Sequence, residues 1–182
     1  MKQENGKVQK LVRTGVFAAF LAVFSQISIP MPTGVPITLQ TFAVALCAYV
    51  LGWKLGVLAV TVYLALGAVG LPVFSGFGAG VGTFLNVTGG FLWGFLLMAL
   101  LCGLGAQMEK PLLAVPLGVL GMFLCHVCGV LQFSALSGNP FWESFLLVSV
   151  PYLLKDTLSV ALAYPAARAV RFSLKKASLI KS

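Results

Sequence analysis

Long apolar runs alternate along the chain with short segments rich in proline, glycine or charge, and the runs set the elements. Residues 11–29 form the first, long enough for one bilayer crossing of about 20 residues. Pro30, Pro32, Gly34 and Pro36 end it, because each proline removes a backbone donor and biases its predecessor away from the helical region. Residues 38–51 resume as a second helix, Gly52-Trp53-Lys54 turns the chain, and residues 55–71 make a third. Residues 72–90 carry Gly76, Gly78, Gly80, Gly82, Gly89 and Gly90, with Phe74, Phe77, Phe84, Asn86 and Thr88 and no charge. Such a stretch makes a poor exposed loop and a poor helix, but it can fold back over a cavity as a lid. A fourth helix is predicted over 91–104, a polar turn over 107–110, a fifth helix over 112–136, and a sixth over 144–170 after the break at 137–140. The pattern predicts an all-α integral membrane protein of six transmembrane helices, with a membrane domain at 11–172 between tails at 1–10 and 173–182.

Composition agrees: 59% of residues are hydrophobic and 9% charged, and mean hydropathy is +1.01, against about 25% charged residues in soluble domains. The net charge of +8 does not mark a nucleic-acid surface, because the basic residues sit at the chain ends and short turns instead of interleaving with aromatics. With the N-terminus in the cytoplasm, Lys2, Lys7, Lys10, Arg13, Lys54, Lys110, Arg168, Arg171, Lys175, Lys176 and Lys181 all fall on that side. The three outward loops, 30–37, 72–90 and 137–143, have no lysine or arginine, so six helices with both termini cytoplasmic satisfy the positive-inside rule. The basic start and apolar run resemble a signal peptide, but no cleavage site follows in a polar setting, and the run is expected to remain as the first helix. Lys155 alone breaks the charge pattern.

Lys155 and Asp156 interrupt the last apolar run. A carboxylate within a bilayer costs about 2.5–3.5 kcal/mol on insertion scales, so Asp156 marks a functional site or a structural hydrogen bond to a neighbouring element. Adjacent helical residues point about 100° apart, which separates Lys155 from Asp156, while Tyr152, Asp156 and Ser159 share one face. That face and the loops 30–37 and 72–90 all end on the outer side, giving an apolar pocket with a few polar groups, the character of a small-molecule site. Ala18 and Ala22 stand one turn apart on the first helix, a spacing that lets another helix approach closely or simply packs the bundle. Cys47, Cys102, Cys125 and Cys128 lie in apolar runs and imply no disulfide framework. Cys125-His126-Val127-Cys128 lacks a fourth ligand nearby for a metal. The glycine stretch has neither the preceding strand nor the Lys-Ser/Thr of a phosphate loop. Without an ATP motif, a carboxylate relay or symmetric halves, the chain captures something and needs a partner for energy. A membrane enzyme using Cys125, His126, Cys128 or Asp156 is the alternative, though the Cys/His cluster shows no acidic neighbour in sequence.

The runs Pro36-Ile37-Thr38-Leu39-Gln40-Thr41-Phe42-Ala43-Val44, Tyr63-Leu64-Ala65-Leu66-Gly67-Ala68-Val69-Gly70-Leu71-Pro72-Val73-Phe74 and Thr88-Gly89-Gly90-Phe91-Leu92-Trp93-Gly94-Phe95 resemble the BioY family over about residues 10–172. The resemblance implies a six-helix S component of an energy-coupling factor (ECF) transporter in the cell membrane. It would bind biotin from outside and associate with a membrane coupling subunit and two ATPase subunits, without a cofactor or metal of its own. It places the coupling-subunit contact on Ala18 and Ala22 and the family's helix-six acid on Asp156. The family often has a lysine three residues after that acid, where this chain has Ser159, and Phe91 and Asn86 stand where Tyr and Gly are common. Biotin's chemistry then assigns Asp156 to the ureido N–H, Asn86 or Gln40 to polar contacts, Phe74, Phe91 and Tyr152 to the wall, and Lys155 to the carboxylate. An S component for another small vitamin would share the fold and differ only in the pocket.

Overall fold

The computed structural model describes residues 2–108 and 110–176; Met1, Glu109 and 177–182, including Lys181 and the end of the expected C-terminal tail, lie outside them. Seven helices and one short hairpin follow in order among the described residues: α1 Lys2–Ser25, β1 Ser28–Ile29, β2 Ile37–Thr38, α2 Gln40–Ala68, α3 Gly82–Leu85, α4 Gly89–Gly105, α5 Pro111–Ser137, α6 Phe141–Val148 and α7 Val150–Lys176. Residues 2–10 and 173–176, expected in the tails, continue α1 and α7. The first helix ends at Ser25 and not at Ile29, because Pro30 disfavours helix at its predecessor and Ile29 instead pairs antiparallel with Ile37.

α2 is one helix by hydrogen bonding but two arms in space. Gln40 Nε2 donates to Tyr63 Oη at 2.8 Å, although 23 residues of straight helix would separate them by about 35 Å. The chain folds back at Gly52, whose φ of 77° and ψ of 172° belong to a region open essentially to glycine alone. The arms approach so closely that a Cβ on Gly56 would stand 2.8 Å from Ala48 Cα. The expected three-residue turn at 52–54 is therefore a single-residue hinge. The first arm, 40–51, is buried on nearly every side, as an apolar helix without a polar face must be when it occupies the bundle centre.

α4 fits between α2 and α5 through glycines. A Cβ on Gly94 would meet Cys125 Cα at 2.6 Å, and one on Gly103 would meet the hinge carbonyl carbon of Gly52 at 2.8 Å. Without a hydrophobic drive between helices in lipid, such close backbone approach supplies the packing energy. Arg171 ties the ends of three helices at one pole, donating from Nε to Val50 O and from Nη1 to Ala106 O, both at 3.1 Å. Ser25 Oγ donates to Val73 O at the opposite pole, where the connecting segments gather.

By length and apolarity, Gly6–Ser25, Gln40–Ala68 and Pro111–Ser137 qualify as spans, with α6 and α7 a fourth bent by 54°. Since α2 is folded back, its arms are two shorter rods, and α1, these arms, α4, α5 and α7 form a bundle of six. The predicted single helix over 144–170 is broken at Ser149 (φ −123°, ψ −56°), just before Pro151, whose ring cannot continue an upstream hydrogen-bond ladder. The 72–90 stretch is not one loop: it holds a single 3₁₀ turn at Ser75–Phe77 and all of α3.

Ala18 turns inward. It is 1% exposed within the core and Ala22 is half-buried, so the expected partner face is not presented there; packing of α1 on α2 uses that side. The exposed small pair on α1 is Gly15 and Ala19, flanked by exposed Val12, Val16 and Val23.

Gly52→Val forces a β-branched residue into the hinge conformation and is expected to destabilise the fold by about 1–3 kcal/mol, read as a lowered melting temperature of the purified protein in detergent.

Candidate ligand-binding site

The connecting segments at the loop pole enclose a cavity of about 580 Å³. Its lining comes from every part of the bundle near that pole: Pro30, Gly34, Val35 and Thr38 from the hairpin region, Gln40 and Thr41 from the start of α2, Phe74 and Gly76 from the glycine stretch, Asn86 and Thr88 before α4, Phe91, Phe95 and Met98 from α4, Met122, Cys125 and His126 from α5, and Tyr152, Lys155 and Asp156 from α7. The volume falls in the range of small-molecule pockets. Burial grades across it, from Asp156 and His126, each 4% exposed, to Pro30, Gly34, Gly76 and Asn86, which face solvent at the mouth.

Asp156 is held from two directions. Its Oδ2 lies 3.1 Å from His126 Nε2, and its Oδ1 lies 2.5 Å from Lys155 Nζ. The ammonium stands directly against Oδ1, so this buried oxygen has its charge compensated from its own helix.

His126 is fixed on both nitrogens. Nδ1 lies 2.9 Å from Ser149 Oγ, and with the carboxylate accepting from Nε2–H, the serine hydroxyl donates to Nδ1. The ring also meets Phe91 edge-on at 5.7 Å, and Cys125 Sγ donates to Phe91 O at 3.4 Å. Ser149 is the residue at which α6 breaks from α7, so the break places its hydroxyl behind the histidine. The order Ser149, His126, Asp156 has the connectivity of a nucleophile, base and acid. Ser149 is nevertheless fully buried and does not line the cavity, so its hydroxyl positions the ring and meets no ligand.

The expected separation of Lys155 from Asp156 does not occur. The long lysine stem curls along the helix and brings its ammonium to the carboxylate and to Thr38 O, to which it donates at 2.7 Å. The two residues, expected at opposite ends of a ligand, meet at one place in the cavity wall. One turn earlier Tyr152 Oη donates to Val35 O at 2.5 Å and contacts Thr33 Oγ1 at 3.0 Å. α7 thus fastens the proline segment over the cavity through Tyr152 and Lys155.

The other expected site residues divide. Gln40, Asn86, Phe74 and Phe91 line the cavity; Gln40 is oriented by Tyr63, and Phe74 packs edge-on against Tyr63 and Phe84, each at 5.5 Å. Asn86 accepts from Val87 N at 2.7 Å through Oδ1, which leaves its amide N–H₂ at the mouth. Ser159 is buried outside the lining, one turn too deep along α7. Among the described residues no group of three His, Cys, Asp or Glu could hold a metal. The view that the Cys125/His126/Cys128 cluster lacks an acidic neighbour is overturned, since Asp156 reaches His126 from α7. Sequence reading missed His126, Thr38, Thr41, Met98 and Met122 as lining. For His126 the signal was present: a lone histidine and a lone aspartate in separate apolar runs each need a buried partner.

The glycine stretch is latched to α1. Gln26 Nε2 donates to Phe74 O at 3.1 Å, and Gln26 Oε1 accepts from Phe77 N at 3.0 Å. This places Phe74 against the cavity and holds Phe77 at a positive φ of 59°.

Comparison with known proteins points one way. The family model described as "BioY family" matches residues 1–176. The biotin transporter BioY of Thermotoga maritima is 44% identical over 124 residues, covering 68% of this chain and 73% of that protein. A probable biotin transporter BioY of Pyrococcus horikoshii is 33% identical over 157 residues, 86% of this chain and 93% of that protein. The crystal structure of the S-component for biotin from an ECF-type ABC transporter superposes with a TM-score of 0.81 at 28% identity, covering 92% of this chain and 93% of that one. These relatives are transporters and not enzymes. With a helical bundle, a cavity of small-molecule size at one pole and a family match across nearly its whole length, the chain belongs to the BioY family.

Proposed function

We propose that this chain is the substrate-binding membrane subunit of a biotin uptake system, capturing biotin at the loop pole and delivering it with an ATP-driven coupling module. The observation that carries the reading is the buried Asp156 carboxylate with the Lys155 ammonium at its Oδ1, in a cavity walled by Phe74, Phe91, Phe95 and Met98. Biotin's ureido group presents N–H donors beside a carbonyl acceptor, and the Asp156–Lys155 pair offers the matching acceptor and donor 2.5 Å apart. Asp156 therefore takes a ureido N–H and Lys155 the ureido oxygen. The valerate carboxylate, at the other end of the molecule, lies beyond reach of that ammonium when the chain is extended. Gln40 and Asn86 supply further polar contacts, and the aromatic rings with Tyr152 pack on the bicycle.

The same reading sets the topology. Among the described residues, every basic residue except Lys155 belongs to α1, the segment beside the hinge, the α4–α5 connection or the end of α7, away from the loop pole. Six crossings with both termini cytoplasmic follow, with the domain at 11–172 in the bilayer and the cavity facing outward. The coupling subunit and its two ATPases engage from the cytoplasmic side. Its contact on α1 uses the exposed Gly15 and Ala19, a small-xxx-small pair in the register that Ala18 and Ala22 do not offer.

Equilibrium binding of labelled biotin to the purified full chain, with dethiobiotin and lipoate as competitors, tests the reading; saturable biotin binding at or below micromolar concentration is expected, and its absence rejects it. Asp156→Asn keeps the size but removes the charged acceptor, and is expected to weaken binding by about 1.5–3 kcal/mol, roughly ten- to a hundredfold in Kd, with the protein still folded. Ala19→Trp is expected to leave binding intact and abolish ATP-driven uptake in vesicles carrying the coupling module. Replacement of Cys125 and Cys128 together by serine is expected to retain binding within a few fold, whereas a thiol enzyme would lose all activity toward its ligand.

A further inference from the structure

Among the described residues, Lys155 is the only lysine or arginine in the lining. Its ammonium pairs with Asp156 Oδ1 at 2.5 Å and donates to Thr38 O at 2.7 Å, which leaves one N–H for a neutral acceptor and no unpaired charge. His126 is the one other group able to carry positive charge there, and both of its ring nitrogens are engaged, by Asp156 and Ser149. A carboxylate brought to Lys155 would meet the Asp156 carboxylate on the same ammonium, so the pair presents no net charge to it. The pair does complement a neutral group that donates and accepts side by side.

Burial gives the direction. Asp156 and His126 form the enclosed end, while Gly76 and Asn86 are exposed at the mouth. The polar lining outside the Asp156 cluster, including Ser75, Thr83, Asn86 and Thr88, is uncharged. A carboxylate there keeps its water and takes hydrogen bonds from neutral donors, which an ester or amide carbonyl accepts equally well.

We propose that the cavity recognises its ligand by the neutral ureido end and holds the other end without a charge partner, so that it takes neutral esters and primary amides of biotin as well as biotin. This rests on the biotin reading above. It makes the substrate class the ureido bicycle with a short acyl chain, whatever the state of the terminal carboxyl group.

The test is titration of the full chain in detergent or nanodiscs with biotin, biotin methyl ester, the primary amide of biotin, and a biotin methylated on a ureido nitrogen. Expected are affinities for the ester and the amide within about tenfold of biotin, and more than tenfold weaker binding of the N-methylated compound. Loss of more than tenfold on esterification or amidation, with biotin still bound, overturns the proposal and leaves the uptake reading standing. Equal binding of the N-methylated compound overturns the ureido-first orientation. Absence of binding by all four compounds overturns both.

Discussion

Burying the Asp156 carboxylate in an apolar bundle is the constraint from which the rest of the site follows. A charge in that position costs several kcal/mol unless neighbours replace the water it loses. Lys155 supplies the opposite charge from the same helix, and His126 supplies a hydrogen-bond partner from α5. Each is placed by something further out: Lys155 by Thr38 on β2, and His126 by Ser149 at the break between α6 and α7. The arrangement holds one carboxylate oxygen against His126 and the other against the Lys155 ammonium, with both partners in the cavity wall.

That site depends on a scaffold able to bring α5, α7 and the two loop segments to one pole. The scaffold is the folded-back α2. Its hinge at Gly52 lets the first arm run through the bundle centre with the second packed back along it, and the glycines of α4 allow α2 and α5 to press against that helix at backbone distance. In lipid, where apolar side chains gain little by leaving one apolar surface for another, this contact and the few internal hydrogen bonds carry the association. The loops are then drawn in from both sides, 30–38 by Tyr152 and Lys155, and 72–78 by Ser25 and Gln26. Because Gln26 and Ser25 end α1, the helix proposed to meet the coupling subunit also holds one wall of the cavity.

Much of the fold was readable from the apolar runs, since a bilayer span leaves a continuous stretch of twenty or so apolar residues that little else in a protein produces. The misses were where helices break and which way side chains face. Apolar residues continue on both sides of the break at Ser149, so hydropathy does not register it, and Pro151 is its mark in the sequence. The inward turn of Ala18 was equally hidden: on a helix apolar all round, Ala18/Ala22 and Gly15/Ala19 are alike until a neighbour chooses a side. Asp156 was legible because an acid in an apolar run stands out. Its partner His126, 30 residues away, could be named as a candidate but not joined to it.

The sequence by itself determined the environment, the approximate helices, the family resemblance and the position of the acid in the last apolar run, because these are properties of local composition and of motifs read in order. The tertiary structure decided which way each helix faces, which segments close over the cavity and how the charges pair. Lys155 shows the difference. Helical geometry at the Cα positions separates it from Asp156 by about 100°, yet four flexible carbons and the carbonyl of Thr38 bring the two charges to 2.5 Å. Sequence spacing specifies where a side chain starts, and only the packed neighbours specify where it ends.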